Sequence, residues 1–369
     1  MLNKVISIIG LGYIGLPFAL LLSKKGFSVN GVDVNKKKIE TLNPETNKVW
    51  ATVPEANEAD VDKAVKAAQD AFNGSWSNLH PKERAKFLRA ITHFELLTYF
   101  ARPYNFTSGA SHPGIPYREV GIDTQNEIDT EILMGRNTVA ECYQKVLTDL
   151  TDAETSITNT TLTKASKKAA IAFKTRVYLH MRDWDKVVSE GAKIKGTYTL
   201  TASPNGPFMD NYLNTESIFS TLQVATLNPG VNAALASQYN RRTLVCISPI
   251  IWRDPSWLVD DKRREDNSTA TDRGTGMVFT ASGKKHTLKY KDGVTYTDAA
   301  PVIRYAEVLL NMAEAHARKT SPDLSASLAL LNEVRNRALA NVATQEYKIA
   351  NFLQLFFWRY PSYSKYSMK

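Results

Sequence analysis

Cysteine is nearly absent from this chain, with only Cys142 and Cys246 in 369 residues. Both read as small buried residues, which leaves little for thiol chemistry. Histidine is almost as scarce. His93, His180 and His316 fall inside helical patterns, and His80, His112 and His286 fall in loops. No pair of them has metal-ligand spacing, so no metal site is expected. Strong charge of one sign is also missing. The net charge of +9 is modest for this length, and no basic stripe carries interleaved aromatics. A nucleic-acid partner is therefore not expected. In "DDKRREDNSTATDRG", residues 260–274, the charges alternate along a loop, which reads as a solvated face rather than an ion site.

What is present begins with "IIGLGYIGLP", residues 8–17. The run from Val5 to Ile9 is β-branched apart from Ser7 and suits a buried strand. Gly10, Gly12 and Gly15 follow at G-x-G-x-x-G spacing. The first glycine allows a tight turn, the second admits a pyrophosphate against the backbone, and the third lets a helix pack close. Ile14 to Lys25 is helix-forming, Ser28 to Val32 is a second strand, and Asp33 follows it. An acid there accepts a ribose 2′-hydroxyl and favours NAD over NADP. Val5 to Leu22 holds no charge, which is also how a signal or membrane segment reads. The three glycines, the proline, the lack of an A-x-A cleavage site and the acid after the second strand argue against that alternative. This opening resembles the start of the UDP-glucose and UDP-N-acetylmannosamine dehydrogenases. The resemblance implies NAD contacts at Gly10, Gly12, Tyr13, Gly15 and Asp33, and it ends near Leu42.

Residues 43–89 change character, from a basic excess to balanced charge. "NPETNKVWATVPEA" reads as a short hairpin or two edge strands. "NEADVDKAVKAAQDAF" reads as an amphipathic helix with Val61, Ala64, Val65, Ala68 and Phe72 on one face. This stretch resembles the first part of aldehyde dehydrogenases, where it is scaffold without nucleophile or base.

From about Lys86 to Ala343 the texture is helical. "KERAKFLRAITHFELLTYFARPYNFT" opens a long helix that buries Phe87, Ile91, Phe94 and Leu97 or Thr98. Residues 162–195 and 302–340 each read as a helical hairpin. In the first, Ala169, Ala170 and Ala172 allow close approach, and Tyr178, Leu179 and Trp184 fill the angle at Arg182–Asp183. Residues 197–300 between them are loop-rich with short strands such as "ESIFSTLQV". The phrases "KFLRAITHFELLTYFARPYN", "GIPY", "YQKVLTDLTDAE", "DDKR" and "PVIRYAEVLLNMAEAHAR" together resemble the SusD/RagB family. That resemblance implies a non-catalytic glycan-binding protein at the outer-membrane cell surface, beside a TonB-dependent transporter. The family's lipid-bearing cysteine and a clear signal peptide are not found at the start, and its closing block is replaced by the aromatic tail 344–369.

The fold class expected is mainly α, with tetratricopeptide-like helical hairpins and a loop-rich insertion, preceded by an incomplete Rossmann-like βαβ unit. Four pieces are expected: a dinucleotide-binding start over 1–42, an aldehyde-dehydrogenase-like fragment over 43–89, a SusD/RagB-like body over 90–343, and an aberrant or truncated tail over 344–369. The chain reads as a composite. Tyr104, Phe106, Tyr212, Trp252 and Trp257 lie in loops where a sugar ring can stack, and they are the ligand-binding candidates. No cofactor is required, although NAD fits the opening motif. The alternative function is an NAD-dependent nucleotide-sugar dehydrogenase of which only the start is present. Oxidation of an aldehyde-level intermediate in such enzymes needs a thiol in its catalytic setting, and Cys142 and Cys246 lack one. Incubation with NAD and either UDP-glucose or acetaldehyde is expected to give no absorbance rise at the NADH band. A rise lost on replacing Cys142 or Cys246 would reverse this expectation.

Overall fold

The computed structural model describes residues 5–9, 28–32, 40–42, 49–52, 62, 65–66, 81–158, 162–209, 213–266 and 276–349. The chain divides into two units, Met1–His80 and Pro81–Lys369. In the first unit, strand β1 (Val5–Ile9) runs parallel to β2 (Ser28–Val32), with Val5 opposite Ser28 and Ile9 opposite Val32. Strand β3 (Glu40–Leu42) pairs antiparallel with β4 (Val49–Thr52), with an irregularity between Thr41 and Leu42. The two strands of the expected βαβ unit are thus formed, while the hairpin expected within 43–56 takes its first strand from Glu40–Leu42, before that stretch. Gly10, Gly12, Tyr13, Gly15 and Asp33, the helix between the strands and residues 350–369 lie outside the described residues.

The second unit is built on helices. Helix α1 (Pro81–Phe100) turns Phe87, Ala90, Phe94 and Leu97 inward, the spacing of a single apolar stripe. Thr98 is exposed, so Leu97 takes the inward place between the two candidates, and Ile91 is half-buried. A short helix α2 (Gln125–Glu131) follows. Helix α3 (Val139–Ser156) starts in a capping box, in which the Thr138 hydroxyl and the Glu141 carboxylate each accept from the other's backbone N–H. It buries Val139, Cys142, Val146 and Leu150, and it packs along α1.

Helix α4 (Lys167–Met181) ends at Arg182, which sits in the left-handed region with φ +62°. Asp183 then caps helix α5 (Trp184–Ala192), so the corner falls where the sequence placed it. Ala169, Ala170 and Ala172 are fully buried on α4. Phe173 meets the edge of Phe87 at 5.8 Å, and Phe87 meets Phe219 at 5.3 Å. Helix α6 (Tyr305–Arg318) packs on both α4 and α5, and α7 (Leu324–Asn336) packs on α6. The two hairpins therefore touch each other as expected. The starts of both hairpins differ from the expected 162 and 302, the first helix beginning only at Lys167. Residues 302–304 belong to a strand, and helix α6 begins only at Tyr305. The β-branched pair Val302–Ile303 explains this, because it has a partner strand to join.

That partner is β5 (Ser217–Thr221), which pairs antiparallel with β8 (Ala300–Arg304). Between them, β6 (Val278–Ala281) and β7 (Lys284–Thr287) form a hairpin around Ser282 and Gly283. Both turn residues have positive φ, the geometry that a two-residue hairpin turn requires. His286 therefore lies in a strand and not in a loop, and it is buried. Asp261 is buried as well and pairs with Arg263, so "DDKRR" is not a fully solvated face. Nearby, Glu216 is fully buried. It accepts from Arg304 Nη1 at 2.6 Å, from both terminal nitrogens of Arg337, and from the Thr201 hydroxyl at 3.1 Å. One carboxylate thus ties the two-stranded sheet to the residue that follows α7. Glu216→Ala strands two arginines whose charges have lost their partner, a loss that costs about 3 to 5 kcal/mol. Urea denaturation is expected to show this drop. A drop below about 1 kcal/mol would mean that the arginines return to water.

Candidate ligand-binding groove

The chain leaves α1 at Phe100 and enters two single turns, Tyr104–Phe106 and Ser108–Ala110. His112 locks them together. Its Nε2 lies 3.1 Å from the Arg102 carbonyl, and its Nδ1 lies 2.8 Å from the Thr107 hydroxyl. A carbonyl can only accept, so Nε2–H donates to Arg102, and Nδ1 pairs with the Thr107 hydroxyl. The following segment runs back along the start of α3. Gly114 N–H donates to the Asn137 carbonyl at 2.7 Å, Asn137 N–H to Ile115 at 3.1 Å, and Val139 N–H to His112 at 2.9 Å. Only glycine fits at 114. A Cβ there would stand 2.9 Å from Cys142 Sγ and 3.0 Å from the Asn137 carbonyl oxygen.

These segments enclose an open groove of about 420 Å³. Tyr99, Phe100, Arg102, Phe106, His112 and Arg136 line it, with Ala101 and Pro113 between them. Tyr99 is 78% exposed, Phe100 68% and Phe106 59%. Three large rings left in solvent at one place are what an interaction site looks like. The Arg102 guanidinium lies over Phe106, 5.3 Å from the ring centre. Arg136 donates from Nε to the Gly114 carbonyl at 2.5 Å and from Nη2 to Phe100 and Pro113 at 3.1 and 3.4 Å. The arrangement can stack an apolar ring face and donate hydrogen bonds to its substituents. Among the described residues no group of histidine, cysteine and carboxylate side chains could hold a metal ion.

The sequence candidates fall in different places. Phe106 lines the groove. Tyr104, on the same turn, packs against Tyr143 at 4.9 Å, on the edge of the core. Trp252 closes a helical turn, Pro249–Trp252, and meets Trp257 nearly edge-on at 5.5 Å. The Arg264 guanidinium covers both rings, at 4.3 and 5.4 Å, and Lys285 Nζ lies 5.3 Å from Trp252. No ring contact among the described residues joins this pair to Tyr104 or Phe106. Tyr212 lies outside the described residues. Tyr99, Phe100, Arg102 and Arg136 were not among the sequence candidates. The signal for the first two was the aromatic pair directly after Thr98, beyond the inward stripe. Cys142 is buried, and burial pushes its thiol up. Cys246 is exposed, contrary to expectation, because it lies in an irregular stretch before the Pro249–Trp252 turn rather than in a packed element.

Comparison with known proteins gives three family matches. A SusD-like family described as "Starch-binding associating with outer membrane" matches residues 43–179, and the SusD family matches 257–358. The NAD binding domain of the UDP-glucose/GDP-mannose dehydrogenase family matches 4–75, further than the motif alone reached. Among solved structures, a SusD superfamily protein from Bacteroides fragilis is 27% identical with a TM-score of 0.60, over 79% of this chain and 63% of that one. One from Bacteroides thetaiotaomicron is 22% identical with a TM-score of 0.60, over 73% and 61%. Curated relatives match only short stretches. An aldehyde dehydrogenase of Alternaria alternata is 45% identical over 16% of this chain, and the match spans 12% of that enzyme. A UDP-N-acetyl-D-mannosamine dehydrogenase of Methanocaldococcus jannaschii is 51% identical over 11% of this chain and 10% of that enzyme. SusD-type models thus match two separate stretches, 43–179 and 257–358, the helical unit has the fold of a SusD superfamily protein, and the first part of the chain carries dehydrogenase-like sequence.

Proposed function

We propose that this protein captures glycans without chemical change, in the groove between the end of α1 and the start of α3, for uptake through a TonB-dependent transporter at the outer-membrane cell surface. The observation that carries the reading is the cluster of Tyr99, Phe100 and Phe106, exposed around one groove beside two guanidinium groups. Flat rings in water cover the apolar face of a sugar, and nearby N–H donors satisfy its hydroxyls. A SusD-like protein from Bacteroides fragilis, 20% identical, is named as carbohydrate binding. Partner and location rest on the likeness to SusD-type proteins. No helix among the described residues is long and apolar enough to cross a membrane. The binding body starts near Pro81, where the second unit begins, and the groove itself needs no cofactor.

A second reading concerns the first unit. Its parallel pair β1–β2 has the strand order of a dinucleotide-binding start, so Gly10, Gly12, Tyr13, Gly15 and Asp33 are the residues that would meet NAD. Two parallel strands bury too little surface to hold a phosphate-binding turn rigidly, and NAD binding there is weak or nil on this reading.

Of the sequence candidates, Phe106 is the ligand platform. Trp252 and Trp257 are a structural pair, because Arg264 and Lys285 already cover them. A screen on immobilised oligosaccharides should find a ligand, and calorimetry on that ligand then ranks the rings. Phe106→Ala is expected to weaken it about tenfold, the equivalent of roughly 1.4 kcal/mol of stacking. Trp252→Ala should change it less than about twofold. The reverse ranking would move the site to the tryptophan pair.

A further inference from the structure

The groove carries charge of one sign. Arg102 and Arg136 stand in its wall with His112 between them, and no aspartate or glutamate lines it. Elsewhere the described arginines commonly meet carboxylates. Arg89 grips Asp149, Arg176 grips Glu307, and Arg304 and Arg337 share Glu216. Arg102 has no ion pair among the described residues, and its guanidinium rests on the Phe106 ring instead. Arg136 gives Nε and Nη2 to three carbonyls, which neutralise no charge, and its Nη1 has no partner among the described residues. Two arginines beside exposed rings, with no acid to balance them, form a receptor for a ring that brings its own negative charge.

We propose that the groove selects acidic saccharides, those bearing carboxylate or sulfate groups, over neutral ones of the same size. This rests on the glycan-binding reading and names its substrate class. Tyr99, Phe100 and Phe106 take the sugar faces, and the guanidinium of Arg102 with Nη1 of Arg136 takes the anionic group. Both arginines are exposed, so salt screens the charge contribution and leaves the stacking. A single-stranded nucleic acid also offers flat rings and negative charge. The groove is short and has only two uncompensated cations, which suits one or two acidic sugars better than a phosphate at every unit.

The test is calorimetry on the full chain with a galacturonic acid trimer, the neutral galactose trimer, a chondroitin sulfate tetrasaccharide and a thymidine oligonucleotide. The galacturonate trimer is expected to bind about tenfold tighter than the galactose trimer at about 50 mM salt, with the ratio falling at about 500 mM. Arg102→Gln should collapse that ratio, and Arg102→Lys should restore part of it. The chondroitin sulfate arm, which carries both carboxylate and sulfate, tests whether added sulfate strengthens binding beyond carboxylate alone. Equal affinity for the acidic and neutral trimers, or a ratio untouched by Arg102→Gln, overturns charge selection and leaves glycan binding standing. Binding of no saccharide overturns both. Tighter binding of the oligonucleotide than of any saccharide overturns the assignment of the ligand class.

Discussion

Helix α4 is buried so extensively that its polar side chains must find partners inside the protein. Lys174, nearly inaccessible, pairs with Glu154 on α3 at 2.5 Å and lies 3.9 Å from Glu190 on α5. Thr175 is fully buried and accepts from Asn311 on α6 at 3.1 Å. Arg176 makes a two-pronged contact with Glu307 on α6 at 2.6 and 2.8 Å, and reaches the Val302 carbonyl on β8 at 2.8 Å. The partners come from four elements, α3, α5, α6 and β8. A rotation of α4 by one residue would take the Lys174 charge and the Asn311 amide away from these partners in the interior, where an unpaired polar or charged group costs several kilocalories per mole. The alanines on α4 let its neighbours come close, and these polar contacts decide at what angle they do so.

That division explains what could be read from the amino-acid order. Apolar spacing is local, and it identified α1, α3, the α4–α5 corner and the α6–α7 pair. The edge of α6 was misplaced because strand β8 exists only by pairing with β5, and the two are far apart in the chain. Local periodicity carries no trace of such a partner. The same holds for Glu216. As a residue type it reads as surface, and its burial depends on two arginines from distant segments.

The groove was half legible. Phe106 stood out as an aromatic among polar loop residues. Tyr104 looked equivalent, yet in a single helical turn residues two apart face different ways, and Tyr104 went to the core. Arg102 and Arg136 could not be linked from sequence, because the backbone pairing of Gly114 with Asn137 is what brings them together. Trp252 and Trp257 were visible as rings, while the cation over them comes from Arg264, which the sequence placed in a charged loop.

Arg136 also settles how the groove meets whatever enters it. The carbonyls it holds belong to Phe100 on one rim and to Pro113 and Gly114 on the other, so a single side chain spans the opening. His112 ties Arg102 to Thr107 in the same way. Little backbone remains to be ordered when a ligand arrives, and the entropy loss falls on the ligand rather than on the protein. A binder of this kind engages at nearly every well-oriented collision, and its affinities for different ligands differ mainly in how long each one stays.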